Sequence, residues 1–179
     1  DNFFLVLPDF LTRIQFKKSE SLSLRYNMRN QFTDVTNLAS GIVLNNFNSI
    51  NIGNPELQNA LTNNISLFYR SFNMFNYTNV FASVTYSNAV DQIRSLSNFE
   101  SVVRTNEFFN SGFADESVSA FGRVQRTFGK LRAGLNTRFN YSKFNQFIQG
   151  ERSINENFSQ TYTPELRSNF REAPNFRIR

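Results

Sequence analysis

The chain has no cysteine, no histidine and no tryptophan, and four prolines in 179 residues. Without Cys or His there is no thiol nucleophile, no structural zinc site of the usual kind, no imidazole base and no Ser-His-Asp triad. Carboxylates, Lys, Arg, Tyr and hydroxyls are the groups left for catalysis. The lack of Cys excludes a disulfide scaffold, and it suits either a reducing cytoplasm or an envelope protein that needs no disulfides. Long apolar runs are missing too: the longest cluster is Phe3-Phe4-Leu5-Val6-Leu7, followed by Pro8. That is far short of the roughly 18 to 20 residues a membrane-spanning helix needs, so a helical membrane protein is excluded. No basic stretch followed by an apolar run and a small-residue cleavage site opens the chain. Any secretory signal is therefore expected to have been removed or to lie outside this sequence.

What is abundant is unusual. There are 22 Phe and 6 Tyr alongside 26 Asn, with 19 Lys and Arg against 14 Asp and Glu for a net charge of +5. Phe and Tyr favour strands and Asn favours turns and polar surface, so this composition points to many strands joined by polar loops. The length suits one structural unit.

Alternation with a period of two, the mark of a strand with two different faces, recurs along the chain. In 131–141, Leu131, Ala133, Leu135, Thr137, Phe139 and Tyr141 fall on one face, and Arg132, Gly134, Asn136, Arg138 and Asn140 on the other. Between 21 and 32, Leu22, Leu24, Tyr26, Met28 and Phe32 oppose Ser21, Ser23, Arg25, Asn27, Arg29 and Gln31, with Asn30 the one polar interruption. A third run sets Val80, Ala82, Val84 and Tyr86 against Phe81, Ser83, Thr85 and Ser87. Weaker runs occupy 10–16, 65–69, 118–124 and 162–170.

Seven strands are expected, at about 10–17, 20–32, 62–73, 77–95, 100–127, 130–150 and 157–172. Lys18-Ser19, Asn73 to Asn76 and Phe128-Gly129 read as tight turns, whereas Thr33 to Leu61 is a long Asn-rich connection and the stretches at 95–100 and 150–157 are polar connectors. The tight turns recur about every 55 residues, a repeat of strand, long excursion, strand and short turn. A helix inside 33–46 is allowed by Val35, Leu38, Ile42 and Val43 at helical spacing.

Two-faced strands belong either to a soluble sandwich or to a transmembrane barrel. A tilted strand needs about 9 to 11 residues to cross the hydrocarbon layer, against a mean of about 5 or 6 in soluble proteins. The runs at 22–32 and 131–141 are long enough, and short turns alternating with long loops are the barrel pattern. Phe32, Phe139 and Tyr141 lie towards the long-loop end of their apolar faces. Arg25, Asn27, Arg29, Arg132, Asn136 and Arg138 lie on the opposite faces and are the candidate lumen-facing residues. Seven strands do not make a closed bacterial barrel, whose strand number is even, so the chain reads as a segment of a larger one.

The stretch Asn51-Ile52-Gly53-Asn54-Pro55-Glu56-Leu57, then Ile65-Ser66-Leu67-Phe68-Tyr69 and Ala82-Ser83-Val84-Thr85-Tyr86-Ser87-Asn88, resembles the barrel of TonB-dependent outer-membrane receptors, especially the Bacteroidetes type. Leu7-Pro8 before a strand fits the same pattern. In that family a Gly-Asn-Pro-x-Leu element lies between a long extracellular loop and the next descending strand, the place that Gly53, Asn54, Pro55, Glu56 and Leu57 hold here. The element reads as a structural turn, in which Gly permits positive φ, Asn tolerates it and Pro fixes its own. Two features depart from the family: Gln58-Asn59-Ala60 replaces the Pro-Glu pair that usually follows, and nothing resembles the plug domain or the energy-coupling box. The resemblance implies a partial outer-membrane β-barrel domain over residues 1–179, of about seven antiparallel up-and-down strands, with the plug domain absent. It also implies location in the bacterial outer membrane, no cofactor, no metal and no catalytic residue. The partners it implies are outer-membrane lipid, the remainder of the barrel and its plug, TonB through the plug, and a surface lipoprotein.

The expected function is therefore the wall of a nutrient transporter. A soluble all-β carbohydrate-binding module, its aromatic and Asn-rich loops holding sugar, is the alternative. Asp115 with Glu116 and Glu151 with Glu156 are the carboxylate pairs available for catalysis, and both fall in polar stretches read as solvated loop. Arginines spread along the chain at strand period do not form the patch that nucleic acid requires, so no nucleic-acid partner is expected. If the barrel reading holds, Leu24→Arg or Leu135→Arg should cost about 2 to 4 kcal/mol near the bilayer midplane, while Asn27→Arg or Asn136→Arg is tolerated. Folding into lipid vesicles measures the difference, and equal tolerance on both faces would count against the reading.

Overall fold

A computed structural model describes residues 5–100, 103–148 and 150–179. Phe3 and Phe4 of the apolar cluster, and Ser101, Val102 and Gln149 of the expected strands, lie outside the described residues. In chain order the elements are β1 (Asp9–Lys17), β2 (Glu20–Gln31), one helical turn α1 (Val35–Leu38), β3 (Ile42–Asn46), β4 (Ser49–Ile52), β5 (Ala60–Asn73), β6 (Thr78–Val90), β7 (Ile93–Glu100), β8 (Val103–Asn110), β9 (Asp115–Phe128), β10 (Leu131–Ile148), β11 (Glu151–Ser168) and β12 (Arg177–Ile178). The protein is all-β. An eight-stranded antiparallel sheet runs β1-β2-β5-β6-β9-β10-β11-β12, and a four-stranded sheet runs β3-β4-β8-β7. No pairing among the described residues joins β1 to β11 or β12, so the large sheet has two open edges.

The large sheet is a meander of hairpins whose strands reach 14 residues in β5 and 18 in β10 and β11. Its tight turns have local causes. Asn73 Oδ1 accepts from the Phe75 N–H at 2.9 Å, and Asn76 Oδ1 accepts from the Thr78 N–H at 3.2 Å, so side-chain amides close the β5–β6 turn. At the β9–β10 turn Gly129 takes φ +59, which a residue with a side chain rarely adopts.

The three hairpins at this end do not finish level. Glu20 opens β2 opposite Ser71, and β5 runs two residues further to Asn73. Thr78 opens β6 opposite Arg126, and β9 again runs two residues further to Phe128. A step of about one residue, roughly 3.4 Å, per strand spacing of roughly 4.8 Å tilts the strands by about 35° from the perpendicular to the line of turns.

At the other end the two long excursions fold on each other. β4, from the first, pairs in parallel with β8, from the second, and Asn106 Nδ2 donates to Asn51 Oδ1 across the pair at 2.9 Å. Asn110 ties the excursions again: its Oδ1 accepts from the Gln58 N–H at 2.8 Å, and its Nδ2 donates to the Gln58 and Asp91 carbonyls. A buried polar cluster fastens this layer to the top of β10. Asn145, 1% exposed, donates its backbone N–H to Asp115 Oδ1 at 2.8 Å and its amide to the Ala114 carbonyl, and accepts from Arg152 Nε at 2.8 Å. Asp115 also pairs with Arg94 of β7. Beside the cluster Phe109 meets Phe147 edge-on at 4.9 Å, and the Arg152 guanidinium lies 3.5 Å from the Phe113 ring centre.

Several expectations are corrected. The seven expected strands are twelve among the described residues: the strand read at 77–95 leaves β6 at Asp91, at φ 54, the stretch 95–100 read as a polar connector belongs to β7, and the strand read at 100–127 is two strands, β8 and β9, separated at Ser111-Gly112. The stretch 150–157 is not a polar connector: it pairs residue by residue with β10, from Glu151 opposite Ile148 to Asn157 opposite Ser142. The third repeat therefore lacks a long excursion. The helix within 33–46 is one turn only, and Ile42 and Val43 belong to β3.

Candidate functional site

Register places the alternating residues on two coherent faces. One carries Leu22, Leu24 and Tyr26 of β2, Ile65 and Leu67 of β5, Val80 and Val84 of β6, Val124 of β9, Leu135 and Phe139 of β10, and Phe158 and Tyr162 of β11. No described residue covers it: Leu24 is 40% exposed, Val124 49% and Leu135 43%, and the only buried hydrophobic residues among the described ones are Leu57 and Ala60, at the loop end. Each large apolar side chain left in water forgoes about 1.5–3 kcal/mol relative to full burial. Soluble monomers rarely expose contiguous apolar patches beyond a few hundred Å².

The border of this face towards the loops has its own order. One cross-strand row reads Phe10, Tyr26, Ile65, Tyr86, Val118, Tyr141 and Phe158. The next row outward reads Met28, Asn63, Asn88, Glu116, Lys143 and Glu156. The Tyr26 hydroxyl donates to Asn63 Oδ1 at 2.9 Å and the Tyr86 hydroxyl to Glu116 Oε1 at 3.0 Å. Each tyrosine thus keeps its ring on the apolar side and its oxygen on the polar side. Tyr69 does the same towards the turns, donating to Glu20 Oε1 at 2.8 Å.

The opposite face is where the six candidate residues lie. Arg25, Asn27 and Arg29 of β2 share it with Arg132, Asn136 and Arg138 of β10, but β5, β6 and β9 separate the two groups. At strand spacing that is roughly 19 Å, so they form two sites and not one. Arg25 is engaged by Asp9, with Nη2 to Oδ2 at 2.6 Å and Nε to Oδ1 at 3.2 Å. Arg132 Nε donates to Thr127 Oγ1 at 3.4 Å, and Arg138 lies 5.9 Å from the Phe121 ring centre. Arg13, Arg70, Arg123, Arg167 and Arg177 join them on this face from neighbouring strands. Arg13 and Arg123 fall within weak alternating runs, and only register adds their strands to the pattern. None of the chain's lysines projects from this face: Lys17, Lys18 and Lys130 are at the turn end and Lys143 is on the apolar side. The face is not wholly polar either, since Phe81 and Phe121 meet on it at 5.8 Å.

Across β9, β10 and β11 this face forms a groove of about 420 Å³ lined by Arg123, Asn136, Arg138, Thr161, Thr163 and Glu165. Glu165 is engaged by Arg177 at 2.8 Å. No three His, Cys, Asp or Glu side chains gather as a metal site among the described residues.

Gly53, Asn54, Pro55, Glu56 and Leu57 form a turn, as expected, for a different physical reason. Neither Gly53 nor Asn54 takes positive φ. A Cβ on Gly53 would come within 2.3 Å of the Ala39 carbonyl oxygen, so it is close backbone approach that requires glycine here. Asn54 Oδ1 accepts from the Glu56 N–H at 2.9 Å, its Nδ2 donates to the Phe108 carbonyl at 3.2 Å, and Leu57 is buried. The element therefore locks the first excursion to β8 of the second. Nearby, Asp34 accepts from the Thr36 N–H at 2.9 Å and from the Thr36 hydroxyl at 2.8 Å, which holds its carboxyl below the ordinary carboxylate range.

The carboxylate pairs are not in solvated loops. Asp115 belongs to the buried cluster, Glu116 accepts from Tyr86, and Glu151 and Glu156 lie in β11 opposite Ile148 and Lys143. No family model, curated protein or solved structure matches the chain.

Gly53→Ala should cost about 1–3 kcal/mol through overpacking against backbone. Hydrogen exchange is expected to quicken in β3, β4 and β8 while β9 and β10 keep their protection. Unchanged exchange in the small sheet would show that the close approach is dispensable.

Proposed function

We propose that the chain is a wall segment of a TonB-dependent outer-membrane receptor of the Bacteroidetes type, its apolar face towards lipid and its arginine-rich face towards the lumen. The observation that carries this reading is the uncovered apolar face, which a bilayer would cover at no cost in added structure. Four further features support it. Strands of 12 to 18 residues in β2, β5, β6, β9, β10 and β11 exceed what a crossing requires. Three tight turns gather at one end and the two long excursions at the other, where β10 passes directly to β11, and this resembles the arrangement of periplasmic and extracellular ends. The stepping of the hairpins matches the roughly 35–45° tilt of barrel strands. Tyrosines at the border of the apolar face turn their hydroxyls outwards, as interfacial aromatics do.

On this reading the chain catalyses no reaction. Its open edges pair with the remainder of the barrel, and energy reaches it from TonB through a plug. The excursion layer, held by Gly53–Leu57, Asn110 and Asn145, faces the cell exterior, where a surface lipoprotein would meet it. A soluble carbohydrate-binding module would leave the same apolar face in water.

Detergent dependence separates the two. The chain is expected to aggregate in buffer and to fold, with strand circular dichroism, on addition of micelles or vesicles. A monomeric, folded chain in buffer alone would sink the barrel reading.

A further inference from the structure

On the reading that the arginine-rich face lines a lumen, we infer that its β9–β11 groove is a binding site for a small anionic solute bearing a carboxylate or phosphate. Asn136 lies opposite Arg123 on β9 and Thr163 on β11, and Arg138 is two residues along β10 on the same face. Arg123 and Arg138 are therefore diagonal neighbours, close enough for long side chains to converge. Among the described residues no unpaired acidic side chain lines the groove. Glu165, the one acid lining the groove, has a side chain only 13% exposed and is held by Arg177. Among the described residues neither Arg123 nor Arg138 has a carboxylate partner. Two uncompensated guanidinium groups repel, and an oxyanion between them converts that repulsion into charge-assisted hydrogen bonds. The Arg138 guanidinium lies 5.9 Å from the Phe121 ring centre, at the edge of cation–π reach, and has no hydrogen-bond acceptor among the described residues.

The remaining lining matches a polyhydroxylated acid. The Asn136 amide and the Thr161 and Thr163 hydroxyls supply neutral donors and acceptors, and a volume of about 420 Å³ suits a small molecule. Arginine is used here to the exclusion of lysine, as bidentate recognition of carboxylate or phosphate favours. The second groove of the same face, at Arg13 and Arg70, is different. There the Ser23 and Ser21 hydroxyls already accept from the two guanidinium groups at 3.2 Å.

The test uses the full 179-residue chain folded in phosphatidylcholine vesicles at low salt, titrated calorimetrically with citrate, inorganic phosphate and uncharged maltotriose. Saturable binding of citrate or phosphate, and none of maltotriose, is expected. Binding should weaken at least tenfold in R123Q and in R138Q, recover in part in R138K, which keeps the charge without the fork, and stay unchanged in R171Q off the sheet. Strand circular dichroism verifies that each variant is folded. Anion binding absent from the folded wild type, or equal in R138Q and R171Q, overturns the inference. Quenching of tyrosine fluorescence by brominated acyl chains in parallel samples reports on the membrane reading separately. Quenching without anion binding overturns this inference alone, whereas anion binding without quenching supports the groove and contradicts the lipid-facing assignment.

Discussion

Leu24, Leu67, Val84, Val124 and Leu135 share one face of the large sheet, and moving such apolar surface out of water is favourable. In a sandwich a second sheet would do so. Here the four-stranded sheet joins the large one at its loop end, through Phe109, Phe147 and the Asn145 cluster, and leaves the apolar face bare. The rest of the large sheet is arranged around that face. Its charges stand at the ends, Glu20 and Arg126 towards the turns and Glu116, Lys143 and Glu156 towards the loops, and arginines crowd the opposite side.

Asparagine is the counterpart of the apolar band. In the turns and excursions the backbone leaves its ladder and needs other partners, and Asn46, Asn54, Asn73, Asn76, Asn110, Asn145 and Asn175 supply them. Its amide both donates and accepts, so one residue closes a turn and ties two segments, as Asn54 does to Glu56 and Phe108. A chain with 26 Asn and seven Gly builds its loops from side-chain hydrogen bonds more than from backbone freedom. The loop layer is thereby tied to the top of β10.

The large sheet was largely legible, because a period of two over ten residues leaves little choice of structure. Residues 131–141 and 22–32 split between faces as read, and the turns at 18, 74 and 129 are where Ser, Asn and Gly mark them. Four features were not legible. The turn between β6 and β7 rests on Asp91 at φ 54 with no Gly or Pro to punctuate it. Glu151 to Asn157 carries one apolar residue, Ile154, and no alternation, so pairing with β10 alone identifies it as strand. The parallel pairing of β4 with β8 joins segments about 55 residues apart, beyond the reach of any local pattern. Of the candidate site, alternation found Arg132, Asn136 and Arg138 but not their neighbour Arg123, since which strands lie side by side is a property of topology. The turn at Gly53 was expected, and its cause, the nearness of Ala39, belongs to tertiary structure.

The absence of cysteine makes the central claim directly measurable. Single Cys substitutions from Leu131→Cys to Tyr141→Cys along β10, each carrying a nitroxide, report their surroundings through collisions with oxygen, which concentrates in lipid, and with a nickel chelate, which stays in water. In vesicles the account predicts a period of two: odd positions favour oxygen, and even positions, with Asn136 and Arg138 among them, favour the chelate. Chelate access at odd and even positions alike would contradict it, because the apolar face would then be meeting water.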